Sequence, residues 1–145
     1  ISVIEFDLDK FKEIHDSLGH AAGDAILCHV AEVAASITRK DDLFARLGGD
    51  EFAILLPKAD NDAAMHLAER LQEALRNFES PHNYPTPTLS IGISSFSGAD
   101  TVLESDASIT DAASLMRAAD VAMYRAKQRG RNQIACGSAE DELAE

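Results

Sequence analysis

No apolar run in this chain approaches the ~20 residues that a membrane-spanning helix needs. A basic segment leading into an apolar stretch, the mark of a secretory signal, is not seen either. The opening Ile1-Ser2-Val3-Ile4 reads as the middle of something, which points to a piece of a longer protein and leaves the missing signal without weight. Cysteine is scarce. Cys28 and Cys136 lie far apart without CxxC spacing, which argues against a disulfide framework or a zinc site and fits a reducing cytoplasm. Cys28 is expected in the core, on the apolar side of a helix. Positive charge is short too: 13 Lys and Arg stand against 25 Asp and Glu, a net charge of −12. Phosphate backbones need clustered cations, so nucleic acid is not an expected partner. Yet Arg125, Lys127, Arg129 and Arg131, four of the 13, fall within seven positions. One basic cluster in an acidic protein suits a small anionic ligand better than a polymer.

What is present is ordinary for a soluble domain. Hydrophobic residues make up 46% and charged residues 26% of 145 residues, enough chain for one domain with a real core. Ser2 to Leu8 reads as a buried strand ending in acids. Ile26, Leu27, Val30, Ala34 and Ile37 recur at helical spacing and predict a helix over 23–37. A charged break at 39–42 precedes a hairpin, roughly 43–47 and 52–56, closed by Pro57. Asp60 is placed to cap a second helix facing inward with Ala64, Leu67, Leu71, Leu75 and Phe78. A proline-containing loop at 79–87 leads to a strand over 88–95, and 97–109 is polar and irregular. A third helix is expected over 111–129, with Leu115, Ala118, Ala119, Ala122 and Met123 inward and Gly130 as its stop. Gln133 to Ala135 can form a last strand, and 138–145 is an acidic tail or linker. The expected fold is α/β, a single mostly antiparallel sheet flanked by helices.

Chemistry concentrates in two places. Asp7-Leu8-Asp9 follows the first strand, and a strand-end D-x-D is a turn, a helix cap or a site for Mg²⁺, which wants a few hard oxygens. The hairpin carries Arg46-Leu47-Gly48-Gly49-Asp50-Glu51-Phe52. Paired glycines between apolar runs mark a tight turn, since glycine takes positive φ without steric cost. If the hairpin lies beside the first strand, Asp50 and Glu51 reach the same sheet edge as Asp7. Two such clusters make a divalent-metal site suited to phosphoryl chemistry. The glycines would then also let the backbone approach a phosphate or base.

The RLGGDEF stretch resembles the signature of the GGDEF-domain diguanylate cyclases. The likeness extends to Asp7–Asp24 (DLDKFKEIHDSLGHAAGD), Thr88–Ser94 (TLSIGIS) and Ala119–Gln133 (ADVAMYRAKQRGRNQ), four ordered motifs over nearly the whole chain. The resemblance implies a fold similar to the palm of polymerases and class III nucleotidyl cyclases, occupying 1–137. It implies an enzyme that joins two GTP molecules into cyclic di-GMP and pyrophosphate across two copies of the domain. Asp7, the Leu8 carbonyl and Asp50 would hold Mg²⁺, with Mn²⁺ as the alternative ion. Asp50 would also accept the proton, Glu51 would support the metal site and Lys12 would neutralise the transition state. Amides at Lys10 and Phe11 would cradle the β- and γ-phosphates, with Lys127 and Arg131 reaching them from one helix face. Gly48 and Gly49 would lie against substrate. Asp24 would accept hydrogen bonds from guanine, although an Asp after Gly at a helix start is also an ordinary N-cap. Arg39 and Asp42 form R-x-x-D five residues before Gly48, the offset of the family's product-inhibition site, and otherwise read as a surface ion pair.

The chain departs from the family pattern at His15, where asparagine usually contacts guanine; an imidazole cannot offer donor and acceptor in amide geometry. His20 matches the pattern as a structural residue. The family's usual N-terminal helix, with its D-x-L-T-G-L-x-N-R signature, is not in this sequence. Sensor or effector domains in a longer chain are expected. The rival reading is a catalytically weak module that binds GTP or cyclic di-GMP and regulates an attached domain such as a phosphodiesterase.

Overall fold

The computed structural model describes residues 1–77, 79–96 and 112–137. Five strands form one sheet: β1 (Ser2–Leu8), β2 (Leu43–Gly48), β3 (Glu51–Leu56), β4 (Leu89–Ser95) and β5 (Gln133–Cys136). Their order is β2-β3-β1-β4-β5, antiparallel throughout except for the β4–β5 pair. Among the described residues, four α-helices accompany them: α1 (Phe11–Leu18), α2 (His20–Ile37), α3 (Asn61–Asn77) and α4 (Ala112–Gln128). The mostly antiparallel, helix-flanked α/β sheet expected from the sequence is the one observed.

β1 is the central strand, and every residue from Ser2 to Leu8 is buried. Side chains alternate across a strand, so Ile4, Phe6 and Leu8 face one layer and Val3, Glu5 and Asp7 the other. The first set joins Ile26 and Val30 of α2 and Leu67 and Leu71 of α3 in the main core. Val3 meets Leu115, Ala118 and Ala119 of α4 on the opposite face. A row of stacked rings crosses the sheet: Phe44 to Phe52 at 5.6 Å and Phe52 to Phe6 at 5.3 Å between centroids. Each such pair contributes about 1 kcal/mol beyond its buried area, and the row fixes the hairpin's register on β1.

Gly92 lets α4 lie directly on the sheet. A Cβ there would stand 2.1 Å from the Ala119 carbonyl oxygen and 2.3 Å from the Met123 nitrogen. Asp60 does cap α3, accepting from the Ala63 amide at 2.8 Å.

Four expectations are corrected. Residues 11–18 form a helix that the sequence reading did not draw, and α2 begins at His20, three residues earlier than expected. Asp24 therefore sits inside α2 and is not its cap. Cys28 is exposed: with Ile26 and Val30 inward, a residue two positions from each faces the other way. The last helix ends at Gln128, where Gly130 (φ 116°) and the Arg131 amide bonding to the Ala126 carbonyl close it, so Arg131 is off the helix face that carries Lys127. Phe78, the 97–109 segment and the 138–145 tail lie outside the described residues.

Candidate active site

Register brings the two acid clusters together. Asp7 of β1 is paired with Glu51 of β3, and the Leu8 amide donates to the Asp50 carbonyl at 3.3 Å. The intervening turn needs Gly49 at φ 52°, a left-handed conformation that glycine adopts freely, while Gly48 at φ 153° absorbs a bulge. The Arg46 side chain closes the turn by donating to the Gly49 carbonyl at 2.9 Å. Glycine at 48 and 49 leaves open space where side chains would otherwise stand.

Across from these acids, α4 delivers Lys127, whose ammonium pairs with Asp7 Oδ2. The other oxygen, Asp7 Oδ1, is buried without a hydrogen-bond partner. Burial raises the Asp7 pKa; Lys127 pulls it down, and the Asp50 and Asp9 charges add to the rise. Glu51 is raised by burial and then by Asp120 and Asp7. Burial alone would lower the Lys127 pKa, but Asp7, Asp50 and Glu51 outweigh it, so the ammonium stays charged. The sheet end is thus a concentration of carboxylates around the Lys127 ammonium.

Asp9, the partner of Asp7 in D-x-D, has a different part. It is buried and accepts from Thr88 Oγ1 (2.6 Å), Ser90 Oγ (2.5 Å) and the Asn132 amide (2.9 Å). It ties the start of β4 to the turn after α4.

Lys10 stands at the start of α1 in the left-handed region (φ 58°), and Phe11 opens the helix. The first-turn amides of a helix lack intrahelical partners and suit an anion. Lys12 is exposed on the same turn. His15 hydrogen-bonds His20, Nε2 to Nδ1 at 2.8 Å, and packs on Gly23, whose absent Cβ would stand 2.7 Å from His15 Cδ2. Asp24 is exposed one residue further along α2, while Arg131 is exposed in the turn beyond α4.

A family model described as "Diguanylate cyclase, GGDEF domain" matches residues 1–133. The chain belongs to the GGDEF family. It is 37% identical over 136 residues to diguanylate cyclase A of Treponema denticola, covering 92% of this chain and 34% of that protein. It therefore spans about a third of the length of that curated relative. Its fold matches the isolated GGDEF domain of TpbB (YfiN) from Pseudomonas aeruginosa, with a TM-score of 0.84 and 34% identity over 99% of this chain and 80% of that one. The GGDEF domain of DgcB from Caulobacter crescentus, solved with c-di-GMP, gives a TM-score of 0.79 at 25% identity over 96% and 77%.

Family members use a divalent metal, and the residues here fit one. Asp7 offers a buried oxygen without a partner beside other carboxylates, a hard-oxygen donor set. The GGDEF domain also carries a second polar pocket away from the acids. Arg39, Asp41, Asp42, Lys58, His66 and Arg70 line it. Asp42 does not form the simple surface ion pair with Arg39; its Oδ2 accepts from the Arg39 backbone amide at 2.9 Å. Lys58 and Arg70 were not singled out from the sequence, because they come to Arg39 from the end of β3 and from α3. Glu5 and Asp120 were missed as well. Glu5 sat inside an apolar-looking strand, where a charge is itself the signal.

Proposed function

We propose that this GGDEF domain condenses two GTP molecules into cyclic di-GMP and pyrophosphate, one GTP on each of two copies of the domain. The observation that carries this reading is the union of Asp7, Asp50, Glu51 and Lys127 at one end of the sheet, in a chain of this family. Asp7 and Asp50, with the Leu8 carbonyl, would hold Mg²⁺ or Mn²⁺. Such an ion supplies charge neutralisation for the phosphates and acidifies a bound hydroxyl. Asp50 accepts the proton of the attacking 3′-hydroxyl, and Glu51 buttresses it. Lys127 moves between Asp7 and the triphosphate, with Lys12 and Arg131 adding positive charge from the rim. The amides at Lys10 and Phe11 bind terminal phosphate oxygens. Gly48 and Gly49 leave room for substrate against the backbone. Asp24 accepts from the guanine edge, and His15 contacts the base from the neighbouring turn.

Product binds the second pocket, where Arg39 and Asp42, joined by Arg70, recognise phosphate or guanine and slow turnover. In this reading the catalytic domain spans 1–137 of a cytoplasmic protein, and 138–145 is an acidic tail or a linker. No helix among the described residues is long and apolar enough to cross a membrane.

His15 favours a second reading. Its Nε2 is tied to His20 where the family usually places an amide, as in a domain that binds nucleotide and regulates a neighbour without turnover. One experiment separates the two. The protein is incubated with GTP and Mg²⁺ over a range of protein concentrations, beside Asp50→Ala, and product is identified by mass. Cyclic di-GMP formed at a rate per chain that rises with concentration, and lost in the variant, supports the cyclase. GTP or cyclic di-GMP binding without product at any concentration supports the regulatory module.

A further inference from the structure

Three carboxylates face one another just inside the acid cluster already described. Glu5 projects from the middle of β1, on the same face as Asp7. Glu51 starts β3 opposite Asp7, which makes it the diagonal neighbour of Glu5 across the strand pair. Asp120 comes from α4, seven residues before Lys127 and so on the same side of that helix. One oxygen from each of the three lies within 4.8 Å of the others.

Glu5 makes this more than a patch of surface acids. It is only 3% exposed, and its Oε2 has no hydrogen-bond partner. A buried, unpartnered carboxylate oxygen is costly unless something completes its shell. Lys127 does not fill that need: its ammonium pairs with Asp7 Oδ2 and leaves Glu5 Oε2 without a donor. Asp120 is exposed, which gives the triad a path to solvent.

We propose that Glu5, Glu51 and Asp120 bind a hard divalent cation of the Ca²⁺ or Mn²⁺ class, at a site separate from the one formed by Asp7 and Asp50. Three carboxylates and no nitrogen or sulfur select hard ions. Three converging carboxylates suit Ca²⁺ or Mn²⁺ better than Mg²⁺, which dehydrates reluctantly and is usually held by one or two carboxylates with several waters. The bound ion joins β1, β3 and α4 at one point. It pins α4 to β1 and β3 on the face of the sheet that also carries the Lys127–Asp7 pair.

The inference goes beyond the cyclase reading and stands apart from it, so the test uses no nucleotide and reads no turnover. In an Asp50→Ala chain, which disables the catalytic site, Mn²⁺ binding is followed by the loss of free-ion paramagnetic resonance, and Ca²⁺ and Mg²⁺ binding by calorimetry. One saturable Mn²⁺ or Ca²⁺ site per chain is expected, with a rise in melting temperature on loading. Glu5→Gln and Asp120→Asn, added singly to that chain, should each weaken it about tenfold or more. The second variant sits at an exposed helix position and guards against a folding defect in the first. Absence of saturable binding, or equal binding in all three chains, overturns the proposal. In that case a proton shared between Glu5 and Asp120 is what satisfies the triad. Preference for Mg²⁺ over both larger ions would also overturn it.

Discussion

Replacing Gly92 by alanine should loosen α4 from the sheet. The added Cβ would sit 2.1 Å from the Ala119 carbonyl oxygen, 2.3 Å from the Met123 nitrogen and 2.9 Å from the Met123 Cα. All three are backbone atoms of one helix, so no rotamer change relieves the clash. The helix must rise by about 1 Å or the strand must bend. Overpacking of this kind costs about 3 kcal/mol, the upper end of the usual range. In a domain of this size, that corresponds to a fall of about 10 °C in the melting midpoint. Gly23→Ala is the built-in comparison. Its Cβ would also be too close, at 2.7 Å, but to the tip of the His15 ring, which can swing away. Gly23 is inside α2, where alanine gains about 1 kcal/mol of helix propensity. Its net change should lie near zero. Thermal unfolding followed by circular dichroism, in divalent-free buffer, measures both. A Gly92→Ala midpoint within about 2 °C of the parent, or equal shifts for the two variants, would refute the claim that backbone contact at Gly92 sets the height of α4.

Asp9→Ala should cost about 3 kcal/mol, since three donors lose one charged acceptor, whereas Asp9→Asn should cost less; chemical denaturation of both checks it. In divalent-free buffer Glu5 gives stability a pH slope. Its folded pKa of about 8 lies above the unfolded 4.5, so the folded chain retains a proton that the unfolded chain has released. The Glu5 contribution is therefore intact below about pH 4.5 and is lost as pH rises towards 8, by at most about 1.4 kcal/mol per unit. Glu5→Gln should flatten that part of the curve, and an unchanged slope would contradict it. Lys127→Met removes the group that holds the Asp7 pKa down, so the Asp7 carboxyl resonance should titrate at higher pH by NMR; an unmoved midpoint would sink the pairing. Arg39→Ala should raise the cyclic di-GMP concentration needed for half inhibition about tenfold or more in the turnover assay, while leaving turnover without product unchanged.

Most of the scaffold was legible because its signals were periodic and local. β1 announced itself as an unbroken buried run, and α3 as a capped stripe of Ala64, Leu67, Leu71 and Leu75. α1 was overlooked although Phe11, Ile14 and Leu18 are spaced for a helix. The segment is short, and Leu18 ends 48% exposed, so tertiary contact with α2 rather than a long apolar stripe holds it in place. Cys28 misled because apolar character was taken for direction; only the angle relative to Ile26 and Val30 decides which way a helix residue points. The convergence of Asp7 with Asp50 and Glu51 followed from one assumption about strand neighbours, which the register bears out. The bond between Lys127 and Asp7 did not, since it depends on how far α4 lies above the sheet. That height is set by the missing side chain at Gly92, and sequence spacing carries no such distance.

The charge arrangement also constrains how an anionic substrate can arrive. The chain as a whole is at −12, and Asp7, Asp50, Glu51, Glu5 and Asp120 gather towards one end of the sheet around the half-buried Lys127 ammonium. A triphosphate brought there alone would face carboxylates in a partly dry setting, where repulsion is weakly screened. Lys10, Lys12 and Arg131 stand at the rim on solvated turns and offer less. The attraction needed for binding must then come from cations that the acids themselves hold. Each acid that would repel nucleotide in the bare domain becomes, once a divalent ion is seated, a reason for nucleotide to bind. Affinity for GTP should accordingly depend more steeply on divalent ion than on monovalent salt. Calorimetric titration of GTP with and without Mg²⁺, at two NaCl concentrations, distinguishes this from a site where surface lysines and arginines do the attracting; tight binding in EDTA that fades with NaCl would favour the latter.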